Sequence, residues 1–426
     1  MKSVSIFDPV CGSLRGHPYA TIISYAKWFH AYGFGRIAIH TAAPSIKNDS
    51  DFNLSTDIPW IYNYYLPRKG VGSPTHRLVQ YFAKKTTECG GLTSRARRPL
   101  FLCAHALAVK AITKALRSVL EAEDNLVFCP GTDIYTILAL LRLQGFLSKR
   151  KTRPRIVLRF MGVMENAGYF KGSHEVAIKS LQHLVHFQRA IRVTAETEVY
   201  AAYLEKMLRI RVPVTGIPHK QQPEYYPSKS IAQAIKNSNK HNIVAVMGSA
   251  RADKGYLRLV ELARALEFKT TNNAILLYQR MDASRPEYCS KYEDSLCRTK
   301  NTLMLPPQLT DNDYHAVLRQ SSVTLLPYEP TTYRYRGSSV LFDSLAYERP
   351  LLARAGTGFA HTVSAEGLGV TFSDATSFAE GVAKLLNNSL EANTTIVRNG
   401  QKYLKQLDVN LAQVVIAETQ DEDRVY

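Results

Sequence analysis

Short apolar runs alternate with longer amphipathic segments along this chain, and no other feature constrains the fold as strongly. In the first half, SVSIFDP (residues 3–9), RIAIHT (36–41), WIYNYYL (60–66) and NLVFCP (125–130) predict strands, whereas YATIISYAKWFHAYG (19–33) and LCAHALAVKAITKALRSVLEAE (102–123) predict helices. Short buried strands separated by helices are typical of parallel βαβ units covered on both faces. The sequence therefore predicts an α/β fold.

The alternation stops near residues 218–241, where the sequence is polar and contains prolines, and then begins again. NIVAVMG (242–248), AILLYQ (274–279), VTLLPY (323–328) and PLLARA (350–355) predict the strands of a second sheet. We predict a first Rossmann-like domain over residues 1–218, a linker over 219–240, a second Rossmann-like domain over 241–400, and a last helix and tail over 401–426 that packs across both. Two such domains in tandem predict a cleft between the carboxyl ends of their strands, where ligands bind.

The 426 residues carry a formal net charge of +18, which favours an anionic partner. The charge is partly local, because Lys149, Arg150, Lys151 and Arg153 lie close together. Phe146 and Leu147 precede them, and we expect an apolar edge beside a basic face that rests on an anionic membrane surface. A solvated charge run is the alternative.

The six cysteines lack CxxC spacing, which argues against a zinc cage and a disulfide framework. An acid at position 8 comes too early for a signal peptide, and no apolar run reaches the roughly 18 residues of a membrane span. We therefore expect a cytoplasmic protein, at most peripheral on the cytoplasmic membrane face.

A glycine-containing turn follows the first strand of each predicted domain. Gly12, Gly16 and His17 lie in the first turn, whose spacing is not the GxGxxG of dinucleotide-binding proteins. In the second turn, GSARADKG, Arg251 and Lys254 follow the strand directly. Two cations at a strand's carboxyl end could bind a diphosphate without a metal. A solvated basic loop is the alternative, but the position at the strand's carboxyl end and the spacing to the helix favour binding.

A third basic segment, RYRGSSVLFDSLAYERP, begins at Arg334. Apolar residues at helical spacing follow Ser338 and Ser339, either of which could be the N-cap, and Pro350 ends the segment. A helix start presents N–H groups and a positive dipole end, so this segment predicts an anion site.

GSARADKG together with LLPYEPTTYRYRGSSVLFDSLAYERPLLA (325–353) resembles the glycosyltransferases of the two-Rossmann GT-B fold, most closely the retaining family 4. The resemblance implies that Arg251 and Lys254 bind the donor diphosphate and act in catalysis together with Asp343. It implies that Asp343 binds the nucleotide ribose in place of the usual glutamate, and that the Gly12–His17 turn approaches the donor. Further donor contacts are implied for the loop and helix start, at Tyr335, Arg336, Gly337, Ser338 and Ser339.

The sequence departs from the family pattern at Tyr335, where a second glutamate is usual. Many family members have a tyrosine–arginine–serine version of this loop, so the departure concerns how the sugar is held. Further candidates, each more simply an ordinary loop or helix-start residue, are Asp133, Arg159, Glu165, Glu196 and Glu198.

The sequence thus predicts a metal-independent, retaining glycosyltransferase with no cofactor beyond its nucleotide-diphosphate sugar donor. We expect the acceptor to be a glycan or lipid-linked saccharide in polysaccharide or glycoconjugate biosynthesis. A sugar-nucleotide 2-epimerase of the same fold is an alternative. It would need acids and a histidine placed for proton abstraction at the sugar, and we cannot identify such a set in the sequence. A non-enzymatic nucleic-acid binder would suit the charge, yet no helix-turn-helix, RRM or zinc signature is present, and we expect no nucleic-acid partner.

Overall fold

The structure is a computed structural model. It describes residues 2–9, 11, 17–42, 52–55, 58, 94–122, 125–150, 154–162, 173–188, 190–218, 226–238, 242–269, 273–284 and 288–416. The predicted strand at residues 60–66 lies outside the described residues, as do Gly12, Gly16, Lys151, Arg153 and Glu165.

The chain forms two compact units, and the first consists of residues 1–196, 201–218 and the chain from Leu411 onward. Its described strands are β1 (Lys2–Asp8), β2 (Phe34–Thr41), β3 (Asn53–Ser55), β4 (Leu126–Cys129), β5 (Arg155–Phe160) and β6 (Ile191–Ala195). Its described helices are α1 (His17–Ala31), α2 (Ser94–Glu121), α3 (Ile134–Arg142), α4 (Gln144–Lys149), α5 (Ser173–Phe187) and the part of α6 (Glu198–Leu208) from Ala201.

The second unit consists of residues 197–200 and 219–410. Its described strands are β7 (Asn242–Val246), β8 (Ala274–Gln279), β9 (Thr302–Leu305), β10 (Val323–Leu326), β11 (Leu351–Arg354) and β12 (Gly369–Phe372). Its described helices are α7 (Lys229–Ser238), α8 (Leu259–Lys269), α9 (Ser290–Arg298), α10 (Asp311–Gln320), α11 (Pro330–Tyr333), α12 (Ser339–Ala346), α13 (Gly358–Ala365), α14 (Ala375–Leu386) and most of α15 (Leu390–Ile416). Two short 3-10 turns, Ala252–Lys254 and Tyr256–Arg258, precede α8.

Each unit contains one six-stranded parallel sheet. The strand order is β3-β2-β1-β4-β5-β6 in the first unit and β12-β11-β10-β7-β8-β9 in the second. Numbered from the first strand of each unit, both orders are 3-2-1-4-5-6, the order of dinucleotide-binding α/β folds. The prediction of two Rossmann-like domains is therefore confirmed.

The central strands are buried along their whole length because helices cover both faces of each sheet. All four residues of β4 and all four of β10 are buried. In the second unit the core is built from strand residues such as Val244, Leu276 and Leu325, packed against Leu262 of α8 and Phe378 of α14. These apolar contacts fix the strand ends from which the loops of the site emerge.

Two helices differ from the sequence-based expectation. Helix α7 lies inside the segment predicted as a linker, and its Ile231 is buried. The last helix begins at Leu390 rather than near residue 401, so it is longer than predicted. The prolines and polar residues around α7 are typical of a linker, which explains why this helix was not predicted.

Strand order reverses between β7 and β10 in the second sheet, because β7 continues to β8 on one side and β10 to β11 on the other. At such a switch point the loops leave their strands in opposite directions and open a crevice at the carboxyl ends. The loop after β7 carries Arg251 and Lys254, and the loop after β10 leads to Arg336 and Ser338. The fold thus brings the basic motifs of the sequence to one edge of one sheet.

Candidate functional site

Arg251 is held rigidly in the loop that follows β7. Its Nε donates to Asp253 Oδ1 at 2.9 Å and its Nη2 to Asp253 Oδ2 at 2.8 Å, a bidentate ion pair. Nη2 also donates to the hydroxyl of Tyr333 at 2.8 Å. Planar, two-point pairing orients a guanidinium better than a single contact does. The Nε–Nη2 edge of Arg251 is therefore fixed, and Nη1 lies outside this pair.

Lys254 lies three residues further along the same loop. Its Nζ is 5.4 Å from the centre of the Tyr328 ring, within the range of a cation–π contact. A Cβ added at Gly248 would come within 2.8 Å of this Nζ and 3.6 Å of Val340 Cγ2 on α12. The ammonium group therefore lies near Gly248, two residues beyond the end of β7, and near the first turn of α12.

Helix α12 begins as the sequence predicts, with Ser338 at the N-cap and Ser339 as first residue. The Ser338 side chain makes no capping hydrogen bond; its hydroxyl lies 3.4 Å from that of Tyr328. The first turn therefore lacks the usual side-chain acceptor for its backbone N–H groups. An anion at this position would meet those N–H groups and the positive end of the helix dipole.

The loop before α12 contains two arginines with different surroundings. The Arg336 guanidinium lies 5.8 Å from the Tyr333 ring centre, and its Nε is buried without a hydrogen-bond partner. The exposed Arg334 lies 5.4 Å from the Tyr335 ring centre. A buried, unpaired Nε–H is costly, and an anion at this loop would remove that cost.

Tyr335, the departure from the family pattern, is anchored on both its backbone and its ring. Its carbonyl oxygen accepts a hydrogen bond from Thr197 Oγ1 at 3.0 Å, and its ring packs 5.3 Å from that of Tyr200. Gly337, next but one in the chain, is partly exposed. The loop is therefore shaped by backbone and aromatic contacts at the position where family members carry a carboxylate.

Asp343 lies on α12, one turn beyond Ser339, and is partly exposed. Its Oδ2 accepts a hydrogen bond from the hydroxyl of Tyr314 at 2.8 Å. Burial and the nearby carboxylate raise the pKa of Tyr314 well above its usual value. Tyr314 therefore remains a hydrogen-bond donor to Asp343 at any physiological pH.

Two tyrosines connect four of the predicted site residues. The Tyr328 and Tyr333 rings are 4.6 Å apart. Tyr328 contacts Lys254 and Ser338, and Tyr333 contacts Arg251 and Arg336. Burial raises the pKa of Tyr328 to about 12, so its hydroxyl is also neutral. The structure thus brings together these four residues from two loops of the second unit.

Apart from Glu198, the remaining predicted residues lie in the first unit. Gly12 and Gly16 fall outside the described residues, and His17 is the first residue of α1, with its side chain undescribed. Asp133 is the N-cap of α3 and accepts hydrogen bonds from Thr136 N and Oγ1, both at 2.9 Å. Burial raises the pKa of Asp133 to about 6. Its observed contacts are those of a helix cap.

Arg159 lies within strand β5 rather than in the loop after it, and its side chain is 0% exposed. It pairs with Glu196 at 3.3 Å and donates to the carbonyl oxygens of Thr215 and Pro130. Glu198 accepts hydrogen bonds from the hydroxyls of Thr362 and Tyr403 within the second unit. These three charged groups are engaged in structural contacts.

Asp253, Tyr314, Tyr328 and Tyr333 are the site residues that sequence reasoning missed. Asp253 could have been found, because it stands between two predicted diphosphate ligands. The tyrosines give no such signal, since Tyr333 lies 82 residues from Arg251 and Tyr314 lies 29 residues from Asp343.

The basic stretch near residue 150 is only partly as predicted. Leu147 is 2% exposed and packs into the first unit, so it cannot form the expected apolar edge. The Phe146 ring is flanked by Arg117 and Arg150, at 5.2 and 5.7 Å from its centre. Lys149 is exposed at the end of α4.

Two further properties concern only the part of the chain that the structure describes. No helix there is both long and apolar enough to cross a membrane. No group of three or more His, Cys, Asp or Glu side chains there is arranged to hold a metal ion.

Residues 228–403 match the family model described as glycosyl transferases group 1. The matched segment contains both loops and α12. The resemblance to GT-B glycosyltransferases stated from the sequence is thereby confirmed and supports a transferase enzyme, whereas the assignment to retaining family 4 stays a prediction. Among curated protein sequences, none matches the chain.

Solved structures of glycosyltransferases share the fold over nearly the whole chain. Sucrose-phosphate synthase from Thermosynechococcus elongatus is 17% identical with a TM-score of 0.57, covering 97% of this chain and 98% of its own. Anabaena Alr3699/HepE in complex with UDP is 11% identical with a TM-score of 0.60, covering 97% and 99%. WaaG, a glycosyltransferase involved in lipopolysaccharide biosynthesis, is 14% identical with a TM-score of 0.51, covering 98% and 100%. At these identities the similarity establishes the GT-B fold.

Proposed function

We propose that this enzyme transfers a sugar from a nucleoside-diphosphate donor to a saccharide acceptor, with retention at the anomeric carbon, as in glycosyltransferase family 4. The observation that supports this most directly is the convergence of Arg251, Lys254, Arg336 and Ser338 around the Tyr328–Tyr333 pair. They lie at a topological switch point, where α/β folds bind ligands.

The proposed chemistry depends on stabilising a departing diphosphate. As the bond between the anomeric carbon and the diphosphate breaks, negative charge grows on the phosphate oxygens. Fixed cations and helix N–H groups lower the energy of that charge without reorganising. Arg251, Lys254 and the first turn of α12 supply such groups, which favours a metal-independent reaction and needs no cofactor beyond the donor.

Asp343 is proposed to bind the ribose hydroxyls of the donor. A carboxylate can accept hydrogen bonds from two neighbouring hydroxyls, and Tyr314 holds one of its oxygens in place. The Anabaena protein of the same fold was solved with UDP, so uridine diphosphate is the first nucleotide to test. The Gly12–His17 turn is proposed to approach the donor, as the family resemblance implies.

The acceptor is proposed to be a glycan or a lipid-linked saccharide in polysaccharide or glycoconjugate biosynthesis. WaaG, which shares the fold, is involved in lipopolysaccharide biosynthesis. The net charge of +18 favours an anionic acceptor or membrane surface. The reaction is accordingly proposed to take place in the cytoplasm, on or near the cytoplasmic face of a membrane.

Thermal stabilisation by a panel of UDP, GDP, ADP and their sugar conjugates tests the proposal. A ligand at 100 times its dissociation constant stabilises the folded state by about 2.7 kcal/mol. We expect one nucleotide series to stabilise the protein and its sugar conjugates to be hydrolysed or transferred. NMR of the product's anomeric proton then distinguishes retention from inversion. A protein that binds no member of the panel would contradict the proposed function.

A further inference from the structure

We propose that Tyr333 is a positioning residue that aligns two arginines, Arg251 and Arg336, for the donor diphosphate. The proposal rests on the proposed function, because it assigns a role within the same site. Neither the family match nor the sequence pattern assigns a role to Tyr333. What carries the inference is that one side chain uses its two different ends to contact both guanidinium groups.

The hydroxyl end of Tyr333 completes a closed triangle with Arg251 and Asp253. Arg251 Nη2 donates to Tyr333 Oη at 2.8 Å, and Tyr333 Oη donates to Asp253 Oδ2 at 3.4 Å. Arg251 and Asp253 are paired directly at 2.8 and 2.9 Å. The hydroxyl therefore acts as acceptor toward the cation and as donor toward the anion, which fixes the rotation of the guanidinium plane.

The ring of Tyr333 contacts the second arginine. The Arg336 guanidinium carbon lies 5.8 Å from the ring centre, the geometry of a cation–π contact. Arg336 Nε is buried and has no hydrogen-bond partner. An arginine that is placed against an aromatic face while its Nε–H lacks an acceptor is positioned to donate to an anionic oxygen.

Tyr333 itself is held firmly, as a positioning residue must be. It is 5% exposed and ends the short helix α11, next to Arg334. Its ring packs 4.6 Å from Tyr328 and 6.2 Å from Phe359. The backbone N–H of Glu329, at the start of α11, donates to the Asp253 carbonyl at 2.9 Å. Ring, hydroxyl and backbone contacts thus connect the loop after β7 to the loop after β10.

The test compares Tyr333→Phe, which removes only the hydroxyl, with Tyr333→Leu, which removes the ring as well. Tyr203→Phe is the matched control, because its hydroxyl lies 3.2 Å from His174 Nε2 within the first unit and outside both loops. Dissociation constants are measured by calorimetry for UDP, UMP and inorganic pyrophosphate. If UDP does not bind the wild type, the nucleoside diphosphate that stabilises it in the panel and the corresponding monophosphate replace UDP and UMP.

We expect Tyr333→Phe to weaken diphosphate and pyrophosphate binding about tenfold and Tyr333→Leu about a hundredfold, since contacts to charged groups are lost. Monophosphate binding should change less than twofold in Tyr333→Phe, and Tyr203→Phe should match the wild type. In an Arg251→Ala background, Tyr333→Phe should add little, because a residue that acts through Arg251 is coupled to it.

Three outcomes would overturn the proposal. Equal diphosphate affinities in wild type and Tyr333→Phe would exclude a positioning role. Equal weakening of mono- and diphosphate binding, or full additivity with Arg251→Ala, would reduce Tyr333 to a structural residue. In all three cases the proposed function stands as long as the wild type binds a nucleoside diphosphate. If the wild type binds neither a nucleoside diphosphate nor pyrophosphate, both proposals fail together.

Discussion

The hydroxyl of Tyr314 on α10 donates a 2.8 Å hydrogen bond to Oδ2 of Asp343 on α12. Asp343 is the carboxylate that we propose to bind the donor ribose, and Tyr314 is 29 residues away in the sequence. A carboxylate on a helix surface would otherwise sample several rotamers. The bond from a buried tyrosine therefore fixes the orientation of Asp343 before a donor arrives.

Replacing Tyr314 by Phe should raise the donor KM about tenfold and leave kcat within about threefold, because a net hydrogen bond to a charged group contributes about 1.5–3 kcal/mol. The ring is retained, so the packing of α10 should be unchanged. Steady-state kinetics across donor concentrations measures the split. A loss confined to kcat would contradict a role in donor binding.

Asp343→Ala should abolish measurable donor binding, whereas Asp343→Glu should keep much of it, since only the reach of the carboxylate changes. In Asp343→Glu the longer side chain must shift to keep the 2.8 Å hydrogen bond with the Tyr314 hydroxyl. Isothermal calorimetry with the nucleoside diphosphate compares the two variants. If both bind as the wild type does, Asp343 is merely a surface acid on α12.

Arg251→Ala and Lys254→Ala should each lower kcat about a hundredfold while the circular dichroism spectrum stays unchanged, because removing one preorganised stabilising group costs on the order of 10²–10³ in rate. Arg251→Lys should rescue little, since an ammonium cannot pair with Asp253 through two parallel bonds. Single-turnover rates measure the effect. Near-wild-type rates in both alanine variants would remove the diphosphate assignment.

Gly255→Ala should destabilise the second unit by at least about 3 kcal/mol. A Cβ at this position would lie 1.9 Å from the Pro327 carbonyl oxygen, and the backbone φ is +77°. Gly33→Ala is the matched control: its φ is +82°, but a Cβ there meets nothing within 4 Å, so about 1 kcal/mol of backbone strain is expected. Scanning calorimetry compares the two. Equal losses would show that strain, not collision, governs both sites.

The raised pKa of Asp133 predicts a specific pH dependence of stability. Burial raises this pKa from 3.8 to about 6 in the folded protein, so folding favours the protonated form. The stabilising contribution is complete below the unfolded pKa and is lost as pH rises through about 6, at up to about 1.4 kcal/mol per unit. Asp133→Asn keeps a capping side chain and cannot ionise.

The check is urea unfolding of wild type and Asp133→Asn between pH 4 and 7. We expect the variant to gain stability relative to the wild type as pH rises across this window. A difference that is constant with pH would show that Asp133 keeps an ordinary pKa in the folded state.

Neutralising the basic stretch should weaken binding to anionic vesicles. The quadruple variant replaces Lys149, Arg150, Lys151 and Arg153 by glutamine, and each basic residue near such a surface contributes about 1 kcal/mol. A matched quadruple variant in the second unit neutralises Arg264, Lys291, Arg298 and Lys300. Co-sedimentation of the wild type with phosphatidylserine vesicles should fall as the salt concentration rises. At low salt, co-sedimentation should be weaker than that of the wild type for the first variant only. Equal loss in both would indicate a non-specific charge effect.

The strands were predictable because buried parallel strands form short apolar runs with turn residues at both ends. The predicted strands at 3–9, 242–248 and 323–328 coincide with β1, β7 and β10. The positions of the two loops that carry Arg251, Lys254 and Ser338 could be predicted from where these strands end. Helix α7 was not predicted, because the prolines and polar residues of the surrounding segment indicate a linker.

The contacts between side chains within the site were not predictable. Local spacing reveals residues on one loop, but Tyr333 and Arg251 meet only because β10 lies beside β7 in the sheet. The expected apolar edge at Leu147 was wrong for a related reason: the sequence shows a leucine next to basic residues but not which side of the turn faces the sheet.

Helix α15 has a consequence for how the protein is made. Leu411, Val414 and Val415, near its end, are buried in the core of the first unit with Val4, Ile6 and Phe128, and Arg192 of β6 donates to the Val414 carbonyl at 3.4 Å. The core of the first unit therefore cannot be completed until residues 411–415 have left the ribosome. Nascent chains that stop short of residue 411 should expose that apolar surface to chaperones and proteases, so early termination yields degradation rather than a folded half-enzyme.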